Sequence, residues 1–152
     1  RKVTDSDLEK ILNAGNLAPT GCNNQPQKIY VLKSDEAIDK LKGCTKCHFD
    51  APNAMIVCYD KSMVWRRKYD SKSCGVVDAS IVTTHLMLAA HNIGVGTTWV
   101  MHFDPKAIVD TFEIPENVAP VALLVMGYPA SDSKPMDMHY ACKPLSETVI
   151  YK

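Results

Sequence analysis

Asn23, Asn24 and Gln25 put three carboxamides side by side in a short segment between a helix-like and a strand-like pattern. Each amide carries two N–H donors and a carbonyl acceptor, more than a turn uses for its own backbone. A loop of this kind, braced between two regular elements, suits recognition of a flat heteroaromatic ligand with alternating donors and acceptors. The same residues also suit a turn whose amides satisfy nearby backbone.

Cys44-Thr45-Lys46-Cys47-His48 is the second constellation with chemistry in it. C-x-x-C-H can hold a haem through two thioethers and an axial imidazole, but that needs a second axial ligand and an oxidising compartment. No second Cys/His pair at matching spacing completes a zinc site. A redox pair, or a chance pairing near a helix end, is also consistent with the residues. Gly94-x-Gly96 follows a helix and enters a strand, the reverse of the dinucleotide-binding order, and a third glycine is missing. The histidines are scattered, and no Ser/His/Asp set or carboxylate pair can be placed together from spacing.

Composition narrows the classes. With 152 residues the chain is long enough for one domain, residues 1–152, and a sizeable core. Lys plus Arg and Asp plus Glu are 17 each, so no basic excess points to nucleic acid. No apolar run is long enough to cross a membrane. Several of the six cysteines lie in predicted strands or amide turns of a chain that needs no disulfide framework, and they read as free thiols of a cytoplasmic protein.

Thr4 or Asp5 starts a helix through about Leu17, with Leu8, Ile11 and Leu12 on one face. Lys28 to Leu32 reads as a strand. Ser34 caps a short helix that turns Ala37, Ile38 and Leu41 inward and stops at Gly43. Ala54 to Tyr59 is apolar throughout, as in a strand buried on both faces. Trp65 to Ser73 carries no assignable pattern. Val76 to Asn92 is helical and apolar nearly all round, which predicts a central helix ended by Gly94. Thr97 to Val100 is a strand, Asp104-Pro105 opens a helix through Phe112, and Val121 to Met126 is another strand. Beyond Pro129 the chain reads as an arm. The sum is an α+β fold.

Taken in order, these segments resemble one family. Ala18-Pro19-Thr20-x-x-Asn23-x-Gln25-Pro26 is similar to the Asn-x-Gln-Pro turn of the FMN-dependent nitroreductases. Gly94 to Val100, with His102-Phe103-Asp104-Pro105, resembles that family's flavin-flanking strand. Pro120 to Pro129 resembles its last central strand, and Lys143-Pro144-Leu145-Ser146-Glu147 its tail.

The resemblance implies a mixed central sheet flanked by helices, and two interlocked subunits with an FMN in each of two interface sites. It implies a homodimer interface of the large permanent class, above about 2,000 Å². Pro19, Thr20, Gly21, Asn23 and Gln25 would then reach the flavin bound mainly by the other subunit, with Asn23 and Gln25 on the ring's polar edge. Trp99, Val100, Met101 and His102 would run beside the isoalloxazine, and Arg1 and Lys143 would hold the phosphate. NADH or NADPH would deliver electrons, and nitroaromatics or quinones would take them. A non-enzymatic flavin- or haem-binding protein for storage or sensing is the alternative.

The chain departs from the family pattern in four places. Met101 stands where glycine is common, Cys142 where arginine is frequent, and Gln27 where many relatives have tryptophan. The Arg-rich stretch usual before Arg1 is absent, which implies a trimmed start.

Overall fold

The computed structural model describes residues Arg1–Lys152. Helix α1, Asp5–Asn16, begins where the Thr4 hydroxyl accepts from the Asp7 amide at 3.2 Å, with Asp5 and Asp7 in its first turn. Carboxylates there complement the unpaired N–H groups and the helix dipole. Strand β1 is Gln27–Leu32. Helix α2, Asp35–Lys42, is capped by the Ser34 hydroxyl on the Ala37 amide at 3.1 Å. Strand β2 is Asn53–Asp60, and α3 is Gly75–Asn92. Gly94, at φ +77°, supplies the left-handed residue that releases the chain from α3 into β3, Gly96–Val100. Helix α4, Pro105–Thr111, has proline in its first turn, and the Asp104 carboxylate caps the amides of Lys106 and Ala107. Strand β4 is Val118–Gly127, and a single turn α5, Leu145–Thr148, lies in the arm.

The strands form one sheet in the order β1-β2-β4-β3, and every pairing is antiparallel. The mixed sheet implied by the resemblance is therefore not found within this chain. The unbroken apolar run of β2 is the usual mark of a parallel strand. Here it arises because helices cover both faces of an antiparallel sheet. Leu8 and Ile11 of α1 and Val82 and Leu86 of α3 pack with Met55, Val57 and Leu124 on one face. Ile38, Leu41 and Ile108 pack with Ile56 and Leu123 on the other. Cys58 belongs to this second layer, and burial pushes its thiol up to about 12. Pro120 brings no N–H to the ladder, and the β2–β4 register shifts beside it, between Val57 and Cys58.

Helix α3 differs from its sequence expectation. Its face of Asp78, Ala79, Val82, Leu86 and Ala90 is buried, and Gly15 of α1 lets the two helices approach, since a β-carbon there would lie 2.6 Å from Leu86 Cδ2. The opposite face is not covered: Val76, Val77 and Leu88 are 53%, 51% and 64% exposed. Within one chain the helix is half buried, with an apolar stripe open to solvent. The arm is likewise open. Residues 131–152 are exposed throughout, although they include Met136, Met138, Tyr140, Leu145, Ile150 and Tyr151.

Candidate functional site

The amide loop hangs between two buried anchors, Ala18 after α1 and Pro26 before β1. Between them the backbone takes left-handed φ angles of 51° at Cys22, 54° at Asn23 and 51° at Gln25. Asparagine tolerates this region, whereas a cysteine, or a glutamine preceding proline, adopts it at a conformational cost. Short bonds close the loop on itself: the Asn23 amide N–H to the Thr20 carbonyl at 2.9 Å, and the Gln25 N–H to the Thr20 hydroxyl at 3.0 Å.

The three carboxamides have different fates. Asn24 donates to the Met63 carbonyl at 3.0 Å, so its side chain serves the turn. Gln25 reaches the Asn23 carbonyl only at 3.5 Å. The side chain of Asn23 is exposed and bonds to nothing in the chain. Next to the loop, Asn13, Asn16, Gln25 and Gln27 line a groove of about 380 Å³ between α1 and β1. The Gln27 Oε1 is buried there without a partner.

Residues 99 to 102 lie at the other edge of the sheet. Trp99 is paired with Leu124, and directly opposed residues share a face, so it points to the α1/α3 side. Val100 is buried on the opposite side. Past the strand end, the backbone N–H groups of Met101 and His102 donate to no other group of the chain. Two bonds hold this segment in place: the Thr45 hydroxyl donates to the His102 carbonyl at 2.5 Å, and the Asp104 N–H to the Cys44 carbonyl at 3.0 Å. The C-x-x-C-H segment is thus a brace for the end of β3. The Cys44 thiol is buried toward the Thr111 hydroxyl and the Lys40 carbonyl, and all six cysteines are free, as the sequence suggested.

Arg1 crosses the end of β4. Its guanidinium carbon lies 4.0 Å from the centre of the Tyr128 ring, and its carbonyl accepts from the Tyr128 N–H at 3.3 Å. The Tyr128 hydroxyl donates to Asp7 at 2.5 Å, and Lys10 together with this hydroxyl holds the Asp7 carboxyl below the usual carboxylate range. Arg1, Tyr128, Thr97 and Thr98 border a cavity of about 920 Å³ that extends to His91 of α3 and Phe49. Lys143 stands apart on the arm, 3.7 Å from Glu147.

One chain does not bring the candidate residues together. Arg1 joins the start of β3 at the cavity, but the amide loop adjoins β1 at the far edge. Three strand spacings separate those edges, about 14 Å. Reasoning from the sequence also missed Asp78, whose carboxylate accepts from the Gly21 N–H at 2.9 Å, 57 residues away. A lone acid inside an otherwise apolar helix was the available signal.

Comparison with known proteins agrees with this architecture. The Nitroreductase family profile matches residues 1–56 and 41–128. A crystal structure of a nitroreductase family protein from Clostridium difficile 630 superimposes with a TM-score of 0.93 at 41% identity, covering 100% of this chain and 88% of that one. A protein of Archaeoglobus fulgidus, named among NADH dehydrogenases and NAD(P)H nitroreductases, is 32% identical over 139 residues, 87% of this chain and 78% of its own length. An FMN reductase [NAD(P)H] of Bacillus subtilis is 26% identical over 86% of this chain, which spans 60% of that longer protein. With matches that run from the first residue through the last sheet strand, the chain belongs to the nitroreductase family.

Proposed function

We propose that this chain is an FMN-dependent NAD(P)H oxidoreductase of the nitroreductase type, acting as an interlocked homodimer on nitroaromatic or quinone acceptors. The observation that carries the proposal is the Asn23 amide, held out on a left-handed loop with no partner of its own. In this reading its ligand is the flavin.

The residues present fit a flavin mononucleotide. Asn23 and Gln25 offer donors and acceptors to the pyrimidine edge, and the free N–H groups of Met101 and His102 can face a ring nitrogen that gains electron density. Arg1 sets a cation at a cavity of about 920 Å³, within the range that cofactor sites occupy. Lys143 adds a second cation on the arm. FMN, when bound, supplies two-electron transfer between a nicotinamide and an organic acceptor. The chain's part is to orient both reactants in turn and exclude water, with no side chain acting as acid or base.

The dimer rests on two features of the single chain. The stripe of Val76, Val77 and Leu88 on α3 and the apolar side chains of the arm lie open to water. An apolar helix face and an apolar arm on one chain suit an interface of the permanent class. A second copy would also bring its amide loop to this chain's β3 edge.

Purified protein supplied with FMN is expected to hold it with an absorption band at about 450 nm. NADH or NADPH should bleach the band, and a quinone or nitroaromatic should restore it. A band that no nicotinamide bleaches favours the non-enzymatic binder. No retained flavin rejects the proposal.

Cys44 and Cys47 have no part in the chemistry. Replacing both by serine is expected to leave FMN content unchanged, read by absorbance after gel filtration. A covalent haem spectrum surviving denaturation of the parent protein would contradict this.

A further inference from the structure

Asp78 is 2% exposed, forms no ion pair, and spends one oxygen on a single backbone amide, the Gly21 N–H at 2.9 Å. Its other oxygen is buried without a partner. Burying a carboxylate on such terms is costly, and removing the group would relieve that cost unless the one bond matters.

We propose that Asp78 is a positioning residue: it holds the 20–25 loop in its left-handed course and so aims the Asn23 amide at the partner subunit's flavin. The aiming step rests on the flavoenzyme reading above, whereas the holding step stands on this chain alone.

The loop's own bonds fix its shape and not its direction. The links from Thr20 to Asn23 and Gln25, and from Gly21 to Asn24 at 3.1 Å, close within the loop. Only two bonds tie its interior to the rest of the fold. One joins Asn24 to Met63, on an exposed turn, and therefore gives little rigidity. The other joins Gly21 to Asp78, on the helix that packs against α1 and the central strands. Only glycine fits at position 21 in this placement, because a β-carbon there would lie 2.8 Å from the Trp65 Cβ. Three left-handed residues without glycine persist only where surrounding structure over-determines them. Asp78 is the member of that surrounding set with a rigid base.

The test compares wild type, Asp78→Asn, Asp78→Ala and Asn23→Ala in the full chain, with amide hydrogen exchange and FMN titration as readings. Asparagine keeps an acceptor for Gly21, so Asp78→Asn should retain Gly21 protection and bind FMN within about threefold of wild type. Asp78→Ala should lose at least about tenfold of the Gly21 protection, with loosening through Gln25 and none in the middle of α3. Its FMN affinity should fall about tenfold or more, and Asn23→Ala added to it should cost little further, because the amide is already misdirected. If Asp78→Ala does not fold, Asp78→Leu, similar in shape and without an acceptor, takes its place in both readings.

Unchanged loop protection in Asp78→Ala overturns the proposal. So does an Asn23→Ala effect of full size in that background, or an Asp78→Asn as damaging as the alanine. A wild type that protects Gly21 and binds no FMN instead rejects the flavoenzyme reading. The exchange pattern then decides the holding role by itself.

Discussion

Asn23→Ala is expected to weaken FMN binding about tenfold to a hundredfold, the consequence of leaving a buried polar atom of the ring unpaired. Asn23→Asp should be at least as damaging. A carboxylate cannot donate to the ring and repels it once it is reduced. A purely structural role for Asn23 predicts the reverse order, because aspartate replaces asparagine well in turns and tolerates the φ of 54°. The side chain has no partner within the chain, so neither change removes an intramolecular side-chain bond. Asn23→Asp should therefore melt close to wild type when FMN is absent, whereas alanine at a φ of 54° costs about 1 kcal/mol of stability. FMN titration of folded protein, beside a thermal melt, separates the two roles.

Deleting residues 131–152 is expected to give a larger effect: loss of the dimer, and a fall in FMN affinity on the order of a hundredfold or more. No side chain of this segment is buried in the chain's own core, so the four-stranded sheet and its two layers should survive. The deletion also removes Lys143, one of the two cations proposed for the phosphate. Sedimentation and far-ultraviolet circular dichroism check the result. A folded, shortened chain that still sediments as a dimer would place the interface on α3 alone. A shortened monomer that binds FMN as wild type does would remove the arm from the site.

Much of the fold was legible where local chemistry decides. Thr4, Ser34 and Asp104-Pro105 opened helices where their capping chemistry requires, and the four segments read as strands all lie in the sheet. Strand direction was not legible. Burial on both faces makes β2 look the same whether its neighbours run parallel or antiparallel. Helix α3 misled for a related reason: apolar side chains on every side say that all its faces want cover, not that one chain supplies it. Of the site, the amide loop and the strand end were visible as motifs. The links that hold them, Asp78 to Gly21 and Thr45 to His102, each span 57 residues and left no local pattern.

The central claim is that each flavin site is built from two chains, and subunit mixing tests it most directly. One chain carries Asn23→Ala and the other Arg1→Glu, which turns the proposed phosphate cation against its ligand. Each homodimer should bind FMN poorly at a concentration near the wild-type Kd. Refolded together in equal amounts, the chains form heterodimers in which one site has both halves intact and the other has both defects. Random pairing then restores about a quarter of all sites to wild-type affinity. Recovery of that fraction, with bleaching by NAD(P)H, is the result expected. Mixed dimers that bind no more FMN than the two parents contradict a site shared between subunits.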